Sequence, residues 1–387
     1  MKNDVYLHAS KVLAGKELLP VENAYVHVSG GMIAEVLTSL QFSSRKRTAE
    51  VLELGTVTLL PGLIDCHAHL ALDARIPGHL DMMEDPECRQ TLRALKSATD
   101  DLKAGITGLR CLGDRYYLDV ELRDMEQAGK LELPWMQVAG IGMKGLHGHG
   151  YVGKGFSGCE EFRRQARENL FHHTDWLKVF ITAGAPPVGD GLVPWYISRE
   201  EVRTVVNEAK ANGARTSAHC IGGTGLRYCC EEGIDVLDHC YWADEEDTEL
   251  ILKHGTTVCF TPGVFMDESR EPMCPTGHVE KVRKTRDEVR RRLAALVAAG
   301  PKFVVGSDAY HGLLWKELTY MKELGMVGVE ALKGVTVYAG ELMGRNVGVV
   351  AESYQADLIA VDGDPVLNPS VLASPRFIMH DGVVVGK

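Results

Sequence analysis

The run TLLPGLIDCHAH, residues 58–69, joins a stretch of apolar side chains to two histidines, His67 and His69. Nearly continuous apolar sequence is typical of a strand that is buried on both faces, as in a parallel sheet or barrel. On an extended strand, residues two apart project to the same face, so both imidazoles point at one spot. The run therefore predicts a buried strand that presents half of a transition-metal site. A hydrogen-bonded pair of core histidines is the alternative.

The middle of the chain, residues 57–346, alternates short apolar segments with amphipathic helices. Eight strands are predicted, at residues 58–65, 107–112, 136–141, 176–181, 215–219, 236–239, 257–261 and 303–307. Helices are predicted between them, for example at 199–212 and 287–299. Repeated strand–helix units indicate the α/β class and predict a (β/α)8 TIM barrel. A doubly wound open sheet is the alternative, but no Gly-x-Gly-x-x-Gly loop follows the first strand.

Both ends of the chain have a different pattern from the middle. Residues 1–56 alternate apolar and polar positions, and the pair Gly30-Gly31 predicts a hairpin between two short strands. The last forty residues carry similar short apolar runs with turn residues between them. We therefore predict a small β-sandwich domain built from residues 1–56 and 347–387, attached to the barrel of residues 57–346.

Composition restricts the class of partner. The net charge of −11 argues against nucleic acid, because phosphate binding requires a basic surface. No apolar run has the length of a signal peptide or a membrane span. The ten cysteines show no paired CxxC spacing, which favours reduced thiols over a disulfide framework. We expect a cytoplasmic protein that acts on a small molecule, without a nucleic-acid or membrane partner.

Metal-binding residue types follow five of the predicted strands, where a barrel collects its catalytic residues. They are His67, His69, Lys178, His219, His239 and Asp308. Lys178 is the least expected of them, because a buried ammonium is costly unless it is paired. It indicates either a salt bridge to an interior carboxylate or a lysine whose pKa is lowered by burial, giving a neutral amine that reacts with carbon dioxide. Alone, each histidine could be a core residue and Asp308 a helix cap; together the six predict a metal site.

These motifs resemble the amidohydrolase superfamily, in particular its imidazolonepropionase-like branch, which includes metal-dependent Xaa-Pro dipeptidases. The resemblance covers almost the whole chain. It also includes GITGLR at 105–110, GLHGHG at 145–150, LKV at 177–179, GSDA at 306–309 and ADLIAVDGDP at 356–365. By this resemblance, the site is binuclear and usually holds zinc. His67, His69 and Asp308 would hold the more buried ion, His219 and His239 the outer one, and carboxylated Lys178 would bridge the two along with a hydroxide. Members of the branch tend to form homo-oligomers.

The chain also departs from the branch in places. Arg110-Cys111 replaces the usual Arg-Asp, and Asp238-His239-Cys240 replaces Glu-His-Gly. Related deaminases carry a glutamate shortly after the histidine of the fifth strand, and no glutamate follows His219 in this way. We therefore do not expect deamination by that route.

The expected reaction is hydrolysis of a C–N bond, most simply the amide of a dipeptide or an N-acyl amino acid. Metal ions would lower the pKa of a water molecule and polarise the carbonyl. Asp308 is the predicted general base and then acid, and His147 or His149 would hydrogen-bond the carbonyl oxygen. The substrate carboxylate would need a cation, for which the candidates are Arg110, Arg115, Lys144 and Arg227.

Two other functions remain open at this point. The first is hydrolysis of neutral carbamates, ureas or cyclic amides in an apolar pocket, for which residues 72–92 would form a wall. The second is a non-catalytic scaffold that has kept the fold. The six strand-end residues argue against a scaffold, which has no use for Lys178 in an apolar strand.

Overall fold

The computed structural model describes residues 4–45, 49–151, 153–189 and 191–386. Within these ranges the strands are β1 Val5–Ala14, β2 Leu19–Ser29, β3 Met32–Thr38, β4 Glu50–Pro61, β5 Leu63–Ala68, β6 Ile106–Cys111, β7 Trp135–Gln137, β8 Met143–Lys144, β9 Trp176–Phe180, β10 Arg215–Cys220, β11 Val236–His239, β12 Thr257–Phe260, β13 Phe303–Val305, β14 Leu358–Val361, β15 Phe377–His380 and β16 Val383–Val384. The α-helices are α1 Ser39–Ser43, α2 Glu87–Lys103, α3 Leu118–Gln127, α4 Cys159–Phe171, α5 Arg199–Asn212, α6 Thr224–Glu232, α7 Glu245–His254, α8 Gly263–Met266, α9 Thr276–Ala299, α10 Leu314–Glu323, α11 Gly328–Gly334 and α12 Val337–Met343. Short 3-10 helices occupy Asp81–Glu84, Glu268–Met273 and Pro369–Ala373.

Strands from both ends of the chain pair in one seven-stranded sheet, in the order β16-β15-β14-β4-β1-β2-β3. The predicted hairpin is present, because β2 pairs antiparallel with β3 on either side of Gly30-Gly31. β1 and β4 run parallel, and the other pairs are antiparallel. A β-sandwich is not shown: among the described residues, the strands of both termini lie in this single sheet.

The segment predicted as one strand at 58–65 is divided between two sheets. β4 stays in the terminal sheet as far as Pro61, which pairs with Leu358. After Gly62 the chain enters β5, where the Leu63 N–H donates to the carbonyl of Gly105. A side chain at Gly62 would place its Cβ 2.3 Å from Thr107 Oγ1, so the crossing requires glycine.

The middle of the chain forms two parallel sheets, which confirms the α/β class. One has the order β5-β6-β7 and the other β13-β12-β11-β10-β9-β8. Backbone hydrogen bonds connect them: the Asp308 N–H donates to the carbonyl of His67 at 2.9 Å, and the N–H groups of Asp175 and Trp176 donate to the carbonyl of Val138 at 2.9 Å and 3.1 Å. The carboxyl ends of β5, β9, β10 and β11 therefore lie on the same side as the segment that follows β13.

Helix bounds follow local sequence signals. α5 matches its prediction; Ser198 and Glu201 form a capping box at its start, and Gly213, with φ of 73°, ends it. α9 begins eleven residues before the predicted 287. Its first turns bury only Val282 and Thr285, which is too thin an apolar stripe for the sequence pattern to show. Within the described residues, no helix is long and apolar enough to cross a bilayer.

Candidate metal centre

Three predicted ligands converge at the ends of β5 and β13. His67 Nε2 lies 3.3 Å from His69 Nε2 and 3.4 Å from Asp308 Oδ1, and His69 Nε2 lies 3.8 Å from the same oxygen. A tetrahedral zinc ion with ligands about 2.1 Å away holds them about 3.4 Å apart. The three side chains therefore have the spacing of one face of a metal site.

Backbone contacts between β5 and the segment after β13 position this cluster. Asp65 accepts hydrogen bonds from the backbone N–H of His67 and of Ser307, and from the Ser307 hydroxyl. Asp308 follows with φ of 53°, in the left-handed region that a residue other than glycine seldom adopts. Such strain is typical of functional sites, where the surrounding contacts enforce it.

The histidines are in the protonation state that metal binding needs. His69 Nδ1 lies 2.7 Å from the Gly113 carbonyl and donates to it, which leaves the lone pair of Nε2 available to a ligand. Burial, and then the charge of His67, lowers the pKa of His69 to about 4. Burial also lowers the pKa of His219 and of His239 well below the usual value. All three are neutral at pH 7, so they can bind a cation through a lone pair.

His219 and His239 lie next to the cluster, but the described side chains do not complete a second three-ligand group with them. Their ring centroids are 4.6 Å apart, and the ring of His239 is 4.7 Å from that of His67. His239 Nδ1 lies 2.8 Å from Thr261 Oγ1, and His219 Nε2 lies 3.1 Å from the Ala183 carbonyl. One ring nitrogen of each is therefore held, and the other is available to a ligand.

Lys178 forms a salt bridge to an interior carboxylate, which is one of the two roles predicted for it. Its ammonium contacts Asp238 Oδ2, and both side chains are fully buried. Burial raises the pKa of Asp238, but Lys178, His67 and Arg110 outweigh it and hold that pKa well below its usual value. Burial and the charge of Arg110 lower the pKa of Lys178, and together they outweigh the contact with Asp238, which raises it. The surroundings of Lys178 therefore disfavour its protonated form.

The prediction that Arg110 binds substrate is corrected by the structure. Its guanidinium is completely buried and donates to Asp238 Oδ1 at 2.9 Å, to the Cys66 carbonyl at 2.6 Å and to Ser217 Oγ at 3.2 Å. Arg110 therefore belongs to the polar network beneath the ligands. It does not line the cavity that His69 and Asp308 border.

A cavity of about 550 Å³ opens above the ligand cluster. His69, His219, His239 and Asp308 lie in its wall, and so do both histidines of the GLHGHG loop. The ring of His149 is 4.7 Å from that of His219, and burial lowers the pKa of His149 to about 4. His147 is exposed and lies edge-on to Tyr196. His149 is therefore the nearer of the two to the ligands.

Two other cations predicted to bind substrate lie elsewhere. Arg227 pairs with Asp244, Glu246 and Asp247, and it does not line the cavity. Lys144 donates to the Gly150 carbonyl and lines a smaller neighbouring cavity of about 310 Å³, together with Arg115. The prediction that Arg227 binds substrate is therefore corrected, like that for Arg110. The contact between Lys144 and the Gly150 carbonyl holds the loop that carries His149.

Sequence reasoning missed Arg270, which lines the main cavity. It lies in the 3-10 helix between α8 and α9, away from any strand end. No strand pattern or motif marks the position. Only the path of the loop after β12 brings it to the site.

The segment from residue 58 to residue 387 matches the model of the amidohydrolase family. The chain therefore belongs to this family and is a hydrolase, as its motifs predicted. The match begins at the first residue of the TLLPGLIDCHAH run.

Individual proteins show the same relationship. The chain is 24% identical to the ochratoxinase of Aspergillus niger over 93% of this chain and 82% of that protein. It is 24% identical to the imidazolonepropionase of Erwinia tasmaniensis, over 88% and 86% of the two chains. A crystal structure of a Xaa-Pro dipeptidase with bound methionine in the active site superposes with a TM-score of 0.86 at 25% identity, over all of both chains.

Proposed function

We propose that this protein is a metal-dependent amidohydrolase that cleaves the amide bond of a small substrate such as a dipeptide or an N-acyl amino acid. The observation that carries the proposal is the convergence of His67, His69 and Asp308 at metal-ligand spacing, with His69 and Asp308 on the wall of one cavity. Its likeness to a Xaa-Pro dipeptidase supports a small amide substrate.

The proposed cofactor is a pair of divalent ions, with zinc as the expected metal. His67, His69 and Asp308 would hold one ion, and His219 and His239 would hold the other. The neutral form of His69 and the spacing of the three donors support the first position. When bound, the ions would supply a water molecule of lowered pKa and polarise the amide carbonyl.

Carboxylation of Lys178 is part of the proposal. The reaction needs a neutral amine, and burial favours that form of Lys178. Asp238 keeps a second cationic partner in Arg110, so its charge stays compensated when Lys178 loses its proton. A carbamate carbon signal in the NMR spectrum after incubation with ¹³C-bicarbonate, absent from Lys178→Met, would support this step; its absence from both proteins would exclude it.

The residues of the chain divide the chemistry between them. Asp308 accepts the proton of the attacking water and transfers it to the leaving nitrogen. Its pKa lies below its usual value although burial raises it, so the carboxylate is ionised at neutral pH and can accept a proton. His149 donates a hydrogen bond to the carbonyl oxygen and stabilises the charge that develops there.

The same proposal extends to the architecture. The two parallel sheets would form one (β/α)8 barrel, residues 57–346, closed through the contacts between β13 and β5 and between residue 138 and β9. Residues 1–56 and 347–387 would form the second domain. A cytoplasmic homo-oligomer remains a prediction of the sequence.

A second candidate function is hydrolysis of a neutral carbamate, urea or cyclic amide. The observation that favours it is the apolar part of the cavity wall, where Leu72, Leu80 and Met83 of the predicted segment lie. Such a surface would bind a neutral organic group without a charged partner.

A hydrolysis screen decides between these functions. Zinc-loaded protein would be incubated with dipeptides, N-acyl amino acids, carbamates and phenylureas, with bicarbonate present. We expect turnover of the first two classes, abolished by a chelator and restored by zinc. Turnover confined to neutral compounds would favour the second candidate, and no turnover of any class in metal-loaded protein would contradict the proposed function.

A further inference from the structure

Arg270 is a buried cation at the cavity with an incomplete set of partners. Only 8% of its surface is exposed. Nη2 donates to the carbonyl of Asp308 at 3.3 Å, and the guanidinium lies 4.6 Å from the centre of the Tyr310 ring, which fixes its plane. Nη1 has no hydrogen-bond partner among the described residues. A buried N–H without an acceptor is costly, so an orphaned one indicates a missing partner.

The charge of the cavity wall is uneven. Among the lining residues, the side chains that carry a full charge at neutral pH are Arg270, Lys281 and Asp308. Asp308 belongs to the ligand cluster, so the rest of the wall is positive in a chain whose net charge is −11. A positive wall in an acidic protein concentrates an anion at that place.

Two histidines of the same wall, His79 and His278, add no positive charge to it. Burial, and then the charge of Arg270 among other contributions, lowers the pKa of both His79 and His278. Both are therefore neutral at pH 7, and they can donate hydrogen bonds to an anion without adding charge. Arg270 is thus the one buried cation of the described wall.

The position of Arg270 would place a bound anion near the amide bond that is cleaved. Its guanidinium donates to the backbone carbonyl of Asp308, the residue whose carboxylate is the proposed base. An anion bound to Arg270 therefore lies close to the amide that is cleaved. In an N-acyl amino acid or a dipeptide, the carboxylate carbon is two bonds from the leaving nitrogen, which suits this short separation.

We propose that Arg270 binds the carboxylate of the substrate, and that the substrate class is accordingly an amide whose leaving group is a free amino acid. This inference rests on the proposed hydrolase function of the same cavity. The planar guanidinium lines the cavity and matches the geometry of a carboxylate with two parallel hydrogen bonds. Neutral carbamates and ureas offer no such acceptor.

Glu317 provides the competing explanation. It is fully buried, its Oε2 accepts from the Gly263 N–H at 2.6 Å, and its Oε1 also has no partner among the described residues. Burial raises its pKa to about 8, and the charge of Arg270 acts against that rise. On this explanation Arg270 only favours the ionised form of Glu317 within the fold and does not recognise substrate.

The test compares an acid with its neutral amide in matched pairs. N-benzoyl-L-leucine and N-acetyl-L-phenylalanine would each be paired with the corresponding carboxamide. Binding would be measured by calorimetry on metal-depleted full-length protein, and kcat and KM on zinc-loaded protein. We expect the acid to bind at least about tenfold more tightly than the carboxamide. Arg270→Met should remove this difference mainly through KM, and Arg270→Lys should keep part of it.

Arg283→Met is the matched control, because this exposed arginine of α9 pairs with Glu271 and lies outside the cavity. It should keep the preference for the acid. If Arg270→Met does not fold, the double variant with Glu317→Gln removes both buried groups and takes its place.

Two results would overturn the inference: a wild-type protein that binds the carboxamide as well as the acid, or an Arg270→Met protein that keeps the preference. Loss of stability in Arg270→Met with an unchanged preference would assign Arg270 to Glu317. Failure of the proposed function has a different signature, namely Arg270-dependent binding of the acid with no cleavage in zinc-loaded protein.

Discussion

Asp238 shows how single residues determine the chemistry beneath the cavity. Its carboxylate contacts Lys178, Arg110 and the Ser217 hydroxyl, and His67 Nδ1 lies 3.3 Å away. Breaking a buried ion pair leaves a charge without compensation, which costs more than the pair itself contributes. Arg110 therefore has a positioning role: it keeps Asp238 ionised beneath His67.

At the same scale, Asp308→Asn tests the general base. The amide has the size of the carboxylate but accepts no proton near neutral pH, so we expect kcat to fall by about 10²- to 10⁴-fold. His67 and His69 remain, so zinc should still bind in measurable amount. Turnover of the best substrate and zinc content by mass spectrometry are the two readouts. Activity close to wild type would show that Asp308 is not the base.

At the scale of elements, β13 approaches β5 so closely that the ligand cluster depends on a glycine. A Cβ at Gly306 would lie 2.4 Å from the Cβ of His67 and 2.5 Å from its backbone nitrogen. Because β5 is fully buried, His67 cannot move aside without displacing its neighbours.

Gly306→Ala should therefore destabilise the protein by about 1–3 kcal/mol and weaken zinc binding about tenfold or more. Gly277→Ala is the control, since a Cβ there meets nothing within 4 Å. Thermal unfolding and zinc titration of both variants measure the two effects. Equal zinc affinity in Gly306→Ala and wild type would mean that the β5–β13 contact does not position His67.

The strand ends were predictable from the sequence, but the positions of Arg110 and Arg270 relative to the cavity were not. The predicted strands before His67, His219 and His239 end within three residues of the ends of β5, β10 and β11, because buried parallel strands leave an apolar pattern in the sequence. The sequence pattern does not show whether a charged residue near a strand end faces the cavity or the polar network beneath it. Arg110 was therefore placed in the pocket but lies beneath it, and Arg270 had no signal because a loop carries it to the cavity.

At the scale of the whole molecule, Asp357 joins the terminal sheet to the parallel strands. Its carboxylate accepts from Trp135 Nε1 of β7 at 3.1 Å and from the Asp381 N–H at 2.7 Å, and it lies 3.0 Å from His380 Nδ1. Burial lowers the pKa of His380, but the hydrogen bonds to Asp357 and Glu126 outweigh it and raise that pKa to about 9.

Stability should respond to pH through this contact. The His380 pKa is higher in the folded chain than its ordinary value of 6.5, so its contribution is complete below pH 6.5 and is lost as pH rises through 9. Urea unfolding of wild type and His380→Gln should differ by on the order of 3 kcal/mol at pH 6. The difference should shrink towards pH 10. A difference that does not change with pH would refute the assigned protonation.

The number of bound ions per chain measures directly whether His67, His69 and Asp308 hold metal. Protein dialysed against zinc and bicarbonate, then freed of excess metal, would be analysed by mass spectrometry beside the His67→Asn, His69→Asn double variant. We predict two zinc ions per wild-type chain and at most one in the variant. Wild-type protein without stoichiometric metal, or a variant with an unchanged count, would mean that these residues do not hold metal. The first result would favour a non-catalytic scaffold.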